Sequence, residues 1–509
     1  MNTICCITEK TEKQLLVDTY GYALVDGYKE KVGNFTVELP GLFLGRGAHP
    51  KTGKLKQRIQ PEDITINIGR GEKIPPCPSG HTWKGIVHNN NVTWLAYWID
   101  NINEHGKYMF LAASSRFKGE SDIKKYTKAQ RLKNVIDSIR LSYTRDLQSK
   151  SLYKRQRGVA LYLIDRLALR VGNEKNTDEE ADTVGCCSLR NEHLSFPTQS
   201  QYAVTFDFLG KDSMRYYNTV EVDKYVHQNL REFCSACSRP SDQIFSELDV
   251  GSLNDHLKEL MPDLSAKVFR TYNASITLQD ELYKHNVSNE LLSQKLVYYN
   301  KANRTVAILC NHQKSVSKGH DVQMEKLNDT YESLIDDRAD LQSHLDILNG
   351  VKLSKSEKQI RDTESNERSV RHKERIARKL IELHDKREKE LHDQYESKLS
   401  DHEIKQQLIE YDRSNREKLY RDKKLSNDTD QIHKQLLKLD DRIENARSKI
   451  TLKDDSKTVA LGTSKINYMD PRITVSWCKT MDVPVEKIFS RTLLSKFPWA
   501  MEVPSTWRF

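Results

Sequence analysis

The feature that most constrains this chain is a stretch without a single glycine or proline, from Val351 to Leu461, crowded with Lys, Arg, Glu, Asp and Gln. A segment that carries neither breaker favours long helices. Near its end Ile432, Leu436, Leu439, Ile443, Ala446 and Ile450 follow four-three spacing, the apolar seam of a packed helix pair. Upstream, Met324, Leu327, Tyr331, Leu334, Leu341, Leu345 and Leu348 follow it too, with Arg338 breaking one step. Two seams at opposite ends of a charged stretch predict an antiparallel helical hairpin. The middle, 351–430, is less regular and reads as solvated helix or disorder, its charges forming a solvated face.

The chain has 509 residues, which exceeds one ordinary core and predicts two to four domains. Charged residues are 30% and the net charge is +9, a surplus that suits a polyanion such as nucleic acid. No apolar run is long enough to span a bilayer. Residues 1–19 lack the basic and apolar regions of a secretory leader and contain no Arg, so neither secretion nor a mitochondrial presequence is expected. The nine cysteines are scattered and fit reduced thiols. Cys234 and Cys237 form one CxxC with no second ligand pair nearby, so no metal is assigned.

Composition divides the chain into four parts and predicts an α+β, multidomain fold. Residues 1–117 are rich in Gly, Pro and β-branched residues, with period-two strands at Ile64–Ile68 and Val92–Ala96. Residues 118–314 are mostly helical: Val159–Arg170 reads as a buried helix stopped by Gly172, and Ala266–Leu282 as another. One hairpin interrupts, with Tyr202, Val204, Phe206 and Phe208 alternating, a turn at Gly210-Lys211-Asp212, and a return over Met214–Tyr217. Residues 315–455 form the charged helical part. Residues 456–509 turn apolar again, and Asp470-Pro471 predicts a helix start just after Tyr468.

No nucleotide-triphosphate cradle, HExxH or GxSxG is present, which points away from ATP- or metal-driven chemistry. Five segments carry a more specific signal: Leu167-Ala168-Leu169-Arg170-Val171-Gly172-Asn173-Glu174, Phe208-Leu209-Gly210-Lys211-Asp212-Ser213, Lys267-Val268-Phe269-Arg270-Thr271-Tyr272-Asn273-Ala274-Ser275, Cys310-Asn311-His312-Gln313 and Ser464-Lys465-Ile466-Asn467-Tyr468-Met469-Asp470-Pro471-Arg472. In this order they resemble the eukaryotic type IB DNA topoisomerases. The resemblance implies a catalytic set of Arg170, Lys211, Arg270, His312 and Tyr468. It also implies a double-stranded DNA substrate, a monomer, a nuclear location, no membrane and no cofactor. The fold implied is a strand-containing cap remnant, a mostly helical catalytic core, a long coiled-coil-like linker and a small C-terminal segment bearing the tyrosine.

The residue types suit that chemistry. A tyrosine oxygen can attack phosphorus, but free phenol has a pKa near ~10 and needs a positive field or a water to take its proton. Two guanidiniums offer planar, permanently charged donors to the non-bridging oxygens, and His312 can add a third. Lys211, at a turn tip, is the candidate acid for the departing 5′ oxygen. Each residue also has an ordinary structural reading. Tyr468 can be packing, Arg170 can complement a helix dipole, His312 can be a core histidine and Lys211 an exposed turn residue.

By the same resemblance Arg46, between Gly45 and Gly47, reaches the minor groove, and Arg46, Asp212 and Asn467 line the pocket where camptothecin-type drugs stack. Lys51 and Glu179 match an ion pair that closes a clamp round DNA. Against the family pattern, the chain is expected to lack the N-terminal region and part of the cap. Its linker is expected to be longer than usual, the extra residues lengthening the hairpin or looping out from its tip. Two rivals stand beside this reading: a tyrosine recombinase with a similar residue set, and a non-enzymatic DNA-binding or coiled-coil scaffold.

Overall fold

Most of the fold follows from two sequence periods, two for the strands near the N-terminus and 3.6 for the helices after Ser115. The computed structural model describes residues 14–34, 36, 39–198, 200–394, 401–419 and 426–509. Cys5, Cys6 and most of the leader region considered above lie outside them. The chain forms two compact units, residues 1–314 with 459–509, and residues 315–458. The class is α+β.

In the first unit, β1 (Tyr22–Val25) and β2 (Tyr28–Lys31) join through Asp26 and Gly27, both at positive φ, the two-residue turn that matches strand twist. Two short strands, β3 (Gly41–Leu42) and β4 (Leu55–Lys56), pair at the base of a loop that carries Arg46. The main sheet has the order β6 (Gly85–Val87), β5 (Thr65–Asn67), β7 (Trp94–Ile99), β8 (Gly106–Phe110), parallel between β5 and β6 and antiparallel elsewhere.

Ser115 then starts α1 (Arg116–Asp146), its hydroxyl accepting from the Lys118 N–H. Along α1 the buried positions Tyr126, Ala129, Leu132, Ile136, Ile139 and Tyr143 fall three and four apart, one face turned inward. Ser151 caps α2 (Leu152–Arg166) in the same way. This helix starts earlier than the predicted Val159 and stops before Arg170. Ala168 adopts φ +48, and Gly172, at φ +74, crosses so close to Gly185 that a Cβ would lie 2.4 Å from its Cα. Arg170 therefore sits on an irregular segment rather than at a helix end.

Next come β9 (Leu194–Ser195) and the hairpin β10 (Ala203–Leu209) and β11 (Arg215–Glu221), ordered β11-β10-β9. They are followed by α3 (Lys224–Ala236), α4 (Val250–Leu260), α5 (Ala266–Tyr283) and α6 (Leu292–Leu309). After the second unit the tail returns as α11 (Leu461–Asn467), α12 (Pro471–Thr480) and α13 (Arg491–Lys496). Ile473, Val475, Trp477, Phe497 and Phe509 join Tyr126, Leu132, Leu161, Phe206, Phe269 and Leu278 in one buried core. Fully burying each such side chain stabilises by roughly 1.5–3 kcal/mol, which seats the tail on the body.

The second unit contains α7 (His320–Leu348), α8 (Lys355–Gln394), α9 (Asp401–Leu419) and α10 (Thr429–Asp455). The two seams meet: Leu334, Leu341 and Leu345 bury against Ile432, Leu436, Leu439 and Ala446, with α7 and α10 antiparallel. Of the two readings of the middle, solvated helix and disorder, its described residues follow the helical one, and 395–400 and 420–425 lie outside them. Its charges are not all a solvated face, and it does not lengthen the hairpin. Helix α8 doubles back along α7 through ion pairs: Arg368 with Asp340 at 2.7 Å, Arg371 and Arg375 with Asp336 at 2.9 and 2.7 Å, and Arg378 with Asp329 at 3.1 Å. The reason is positional. The arginines recur three and four apart on α8, and α7 presents carboxylates at matching antiparallel positions. Leu391, Ile404 and Leu408 then bring α9 against α8. Among the described residues no helix is long and apolar enough to cross a membrane.

Candidate active site

Two of the five residues that the motifs single out are set in place by local backbone rules. Helix α6 ends in a Schellman arrangement: Asn311 takes φ +49, the His312 N–H reaches back to the Ala307 carbonyl at 2.8 Å, and the Asn311 N–H to Ile308 at 2.9 Å. This turn delivers His312 inward, 6% exposed. At the other end of the chain, α11 stops at Asn467 and leaves Tyr468 between two helices. Asp470 caps α12, its carboxylate accepting from the Arg472 N–H at 3.0 Å, with Pro471 at the first helical position. Ser275 of α5 ties this connection down. Its hydroxyl donates to the Tyr468 carbonyl at 3.2 Å and accepts from the Asp470 N–H at 3.0 Å. Lys125 of α1 donates to the Asn467 carbonyl at 3.2 Å.

Arg270 is the hub. It is 6% exposed in the first turns of α5, beside the fully buried Phe269. Its Nη1 donates to the Ala168 carbonyl at 2.6 Å and its Nη2 to the Cys310 carbonyl. Those two bonds join the segment bearing Arg170 to the turn bearing His312. The guanidinium lies 4.9 Å from the centre of the Tyr468 ring. The imidazole of His312 stacks on the same ring, centroids 5.5 Å apart and planes 25° apart. Burial first, and then the positive charges of Arg270 and Arg170, push the His312 pKa down to about 3, so the imidazole is neutral near pH 7. Its Nδ1 lies 2.7 Å from the Ser464 hydroxyl. Among the described residues its buried Nε2 has no hydrogen-bond partner, nor does the buried Nε of Arg270.

A cavity of about 140 Å³ opens at this cluster. Arg170, Lys211, Asp212, Arg270, Asn311, His312 and Thr463 are among the residues that line it. Lys211 is exposed at the tip of the β10–β11 hairpin, where Asp212 takes φ +68 and Ser213 φ +56. Tyr468 does not line the cavity, but its ring rests on two residues that do, Arg270 and His312. All five residues thus converge on one place from segments far apart in sequence.

The secondary residues divide. Arg46 pairs with Asp212, bringing its loop onto the hairpin tip, and the Ser213 hydroxyl donates to the Arg46 carbonyl at 3.3 Å. Gly47, at φ +59, makes this approach possible: a Cβ there would lie 2.3 Å from the Ser213 Oγ. Asn467 is exposed next to Tyr468, its amide bonded to the Thr463 carbonyl at 3.2 Å. Among the described residues no ion pair joins Lys51 to Glu179. The backbone N–H of Lys51 bonds His49 at 3.1 Å, while Glu180, the neighbour of Glu179, takes Lys175 at 3.2 Å. Sequence reading missed Ser464, Ser275 and Lys125. The signal for Ser464 was its place one helical turn before Tyr468.

The chain leaves the first unit after His312 and Gln313 and returns beside them. Gln313 and Val459 form an antiparallel bridge, and the Ala460 N–H donates to the His312 carbonyl at 2.7 Å.

Comparison with known proteins gives the family. Residues 6–111 match the family model described as the DNA binding fragment of eukaryotic DNA topoisomerase I, and residues 114–345 match that of its catalytic core. Residues 440–509 match the C-terminal topoisomerase domain. The chain belongs to the eukaryotic DNA topoisomerase I family. Its relatives include DNA topoisomerase 1 of Schizosaccharomyces pombe, 48% identical over 96% of this chain and 61% of that protein. DNA topoisomerase 1 alpha of Arabidopsis thaliana is 46% identical over 100% of the chain and 49% of that protein. The human DNA topoisomerase 1 is 42% identical over 97% and 56%. The chain therefore spans about half to three-fifths of the length of the topoisomerase I relatives it matches.

Proposed function

We propose that this chain is a type IB DNA topoisomerase. It relaxes supercoiled duplex DNA by transient cleavage of one strand through a 3′-phosphotyrosyl intermediate, rotation and religation. The observation that carries the reading is the contact of the Tyr468 ring with Arg270 and His312, beside a cavity lined by Arg170 and Lys211.

In this reading the Tyr468 phenol gives up its proton to water, helped by the positive field of the nearby guanidiniums, as its oxygen attacks phosphorus and the bond to the 5′ oxygen breaks. Arg170 and Arg270 stabilise charge that grows on the non-bridging oxygens, and neutral His312 donates a further hydrogen bond. Lys211, at the hairpin tip, gives a proton to the departing 5′ oxygen. Religation runs the same step backwards, since a phosphodiester and a phosphotyrosyl ester are of similar energy. No ATP is required for such an exchange. Arg46 and its partner Asp212 contact DNA at the nick, with Lys51 and Asn467 nearby in the same role. Camptothecin-type inhibitors stack among Arg46, Asp212 and Asn467. The protein works as a single copy, in the nucleus, without a metal.

The test is plasmid relaxation in chelator without ATP, followed by denaturation and analysis of the DNA ends. The expected result is relaxation with protein on the 3′ end, abolished in Tyr468→Phe while duplex binding persists. Relaxation by Tyr468→Phe, or strand exchange between two cognate sites, would overturn the reading. Salt-sensitive duplex binding with no covalent adduct would favour a scaffold instead.

A further inference from the structure

His312 is enclosed in a way that leaves one question of chemistry open and supplies its answer. The ring is neutral, so it carries one N–H and one bare nitrogen. Only a hydrogen on Nε2 lets the ring donate toward the cavity, because Nδ1 is already engaged by Ser464 at 2.7 Å. We propose that Ser464 is a positioning residue that fixes the tautomer of His312, its hydroxyl donating to Nδ1 so that the hydrogen resides on Nε2.

Two observations favour this direction of the bond. Ser464 is fully buried, so no solvent competes for its hydroxyl. Among the described residues the buried His312 Nε2 has no hydrogen-bond partner, so a hydrogen there is free for an anionic oxygen entering the cavity that His312 lines. The same serine also shapes the backbone: its carbonyl accepts from the N–H groups of Tyr468 and Met469, at 2.9 and 3.0 Å. One residue thus ends the helix that presents the nucleophile and orients the donor stacked on it. The hydrogen bond at one ring nitrogen commonly sets the tautomer of a histidine.

The catalytic consequence rests on the proposed topoisomerase function; the tautomer itself does not. Spectra of protein with ring-labelled histidine, the His312 signal assigned by its loss in His312→Ala, report the tautomer without DNA. The expected result is the Nε2–H form in the parent chain and a mixture in Ser464→Ala. Single-turnover cleavage should fall about tenfold to hundredfold in Ser464→Ala, below the full loss of a transition-state donor. In a His312→Ala background the same change should cause no further loss, and Ser464→Thr should restore part of the rate. An Nδ1–H form in the parent, or equal losses in both backgrounds, overturns the inference. A parent chain that forms no adduct with DNA overturns the function instead, and the spectra still decide the tautomer.

Discussion

Replacing Arg270 with lysine keeps a positive charge near Tyr468 yet should disable the site. The guanidinium spans two buried carbonyls, Ala168 at 2.6 Å and Cys310. A lysine ammonium is a single point on a flexible stem and cannot reach both with the same geometry. One carbonyl left buried without a donor costs about 1–3 kcal/mol, which should appear as lowered stability of the first unit. The larger effect is on rate. Ala168 lies two residues before Arg170 and Cys310 two before His312, so whichever bond is lost loosens the segment of one of them and parts it from the other, while the forked donor itself disappears. Loss of one such donor lowers the rate on the order of 10²–10³ fold. Covalent trapping on a nicked oligonucleotide under single-turnover conditions measures this directly, with anisotropy to show that duplex binding survives. If Arg270→Lys cleaved at the parent rate and unfolded at the parent denaturant midpoint, the bridging role assigned to Arg270 would be wrong.

Other predictions follow the same logic. Gly172→Ala places a Cβ 2.4 Å from Gly185 at φ +74, so it should destabilise the first unit and slow cleavage by displacing Arg170, read by thermal unfolding and trapping together. With its pKa lowered to about 3, His312 binds its proton more readily in the unfolded chain. It should therefore reduce stability as pH falls from roughly 6.5, by up to about 1.4 kcal/mol per unit. The difference in denaturant midpoint between the parent and His312→Gln chains should be constant above about pH 7.5 and shift to the parent's disadvantage as the pH falls through the unfolded histidine's range. Helix α8 is held to α7 mainly by ion pairs, several of them exposed, so raising the salt should release it and expose it to protease well before α7 and α10 separate. Arg368→Ala with Arg375→Ala should produce that release at low salt.

What the sequence made legible has a physical pattern. The α7–α10 seam, the β10–β11 hairpin and the cap at Asp470 rest on local periodicity and turn chemistry, and the structure contains all three. The course of α8 depends on charge pairing at a distance. Arg368 and Asp340 become partners only once the turn between α7 and α8 is known, and no period in the sequence reports it. The same holds at the site. The motifs bring Arg170, Arg270, His312 and Tyr468 forward by residue type and resemblance. The serine behind His312 makes its contact across 152 residues and looks like any small helix residue. The early end of α2 was hidden for another reason. Ala168 gives no sign of a left-handed backbone, and Gly172 alone misplaces the stop.

The pairing of Gln313 with Val459, next to the bond from Ala460 to the His312 carbonyl, makes the long charged excursion an insertion with stapled ends. Within the first unit, the chain that leads on to Tyr468 is thus fastened to the main chain of His312 before it enters α11. Parting Gln313 from Val459 should unseat His312 before any other member of the cluster.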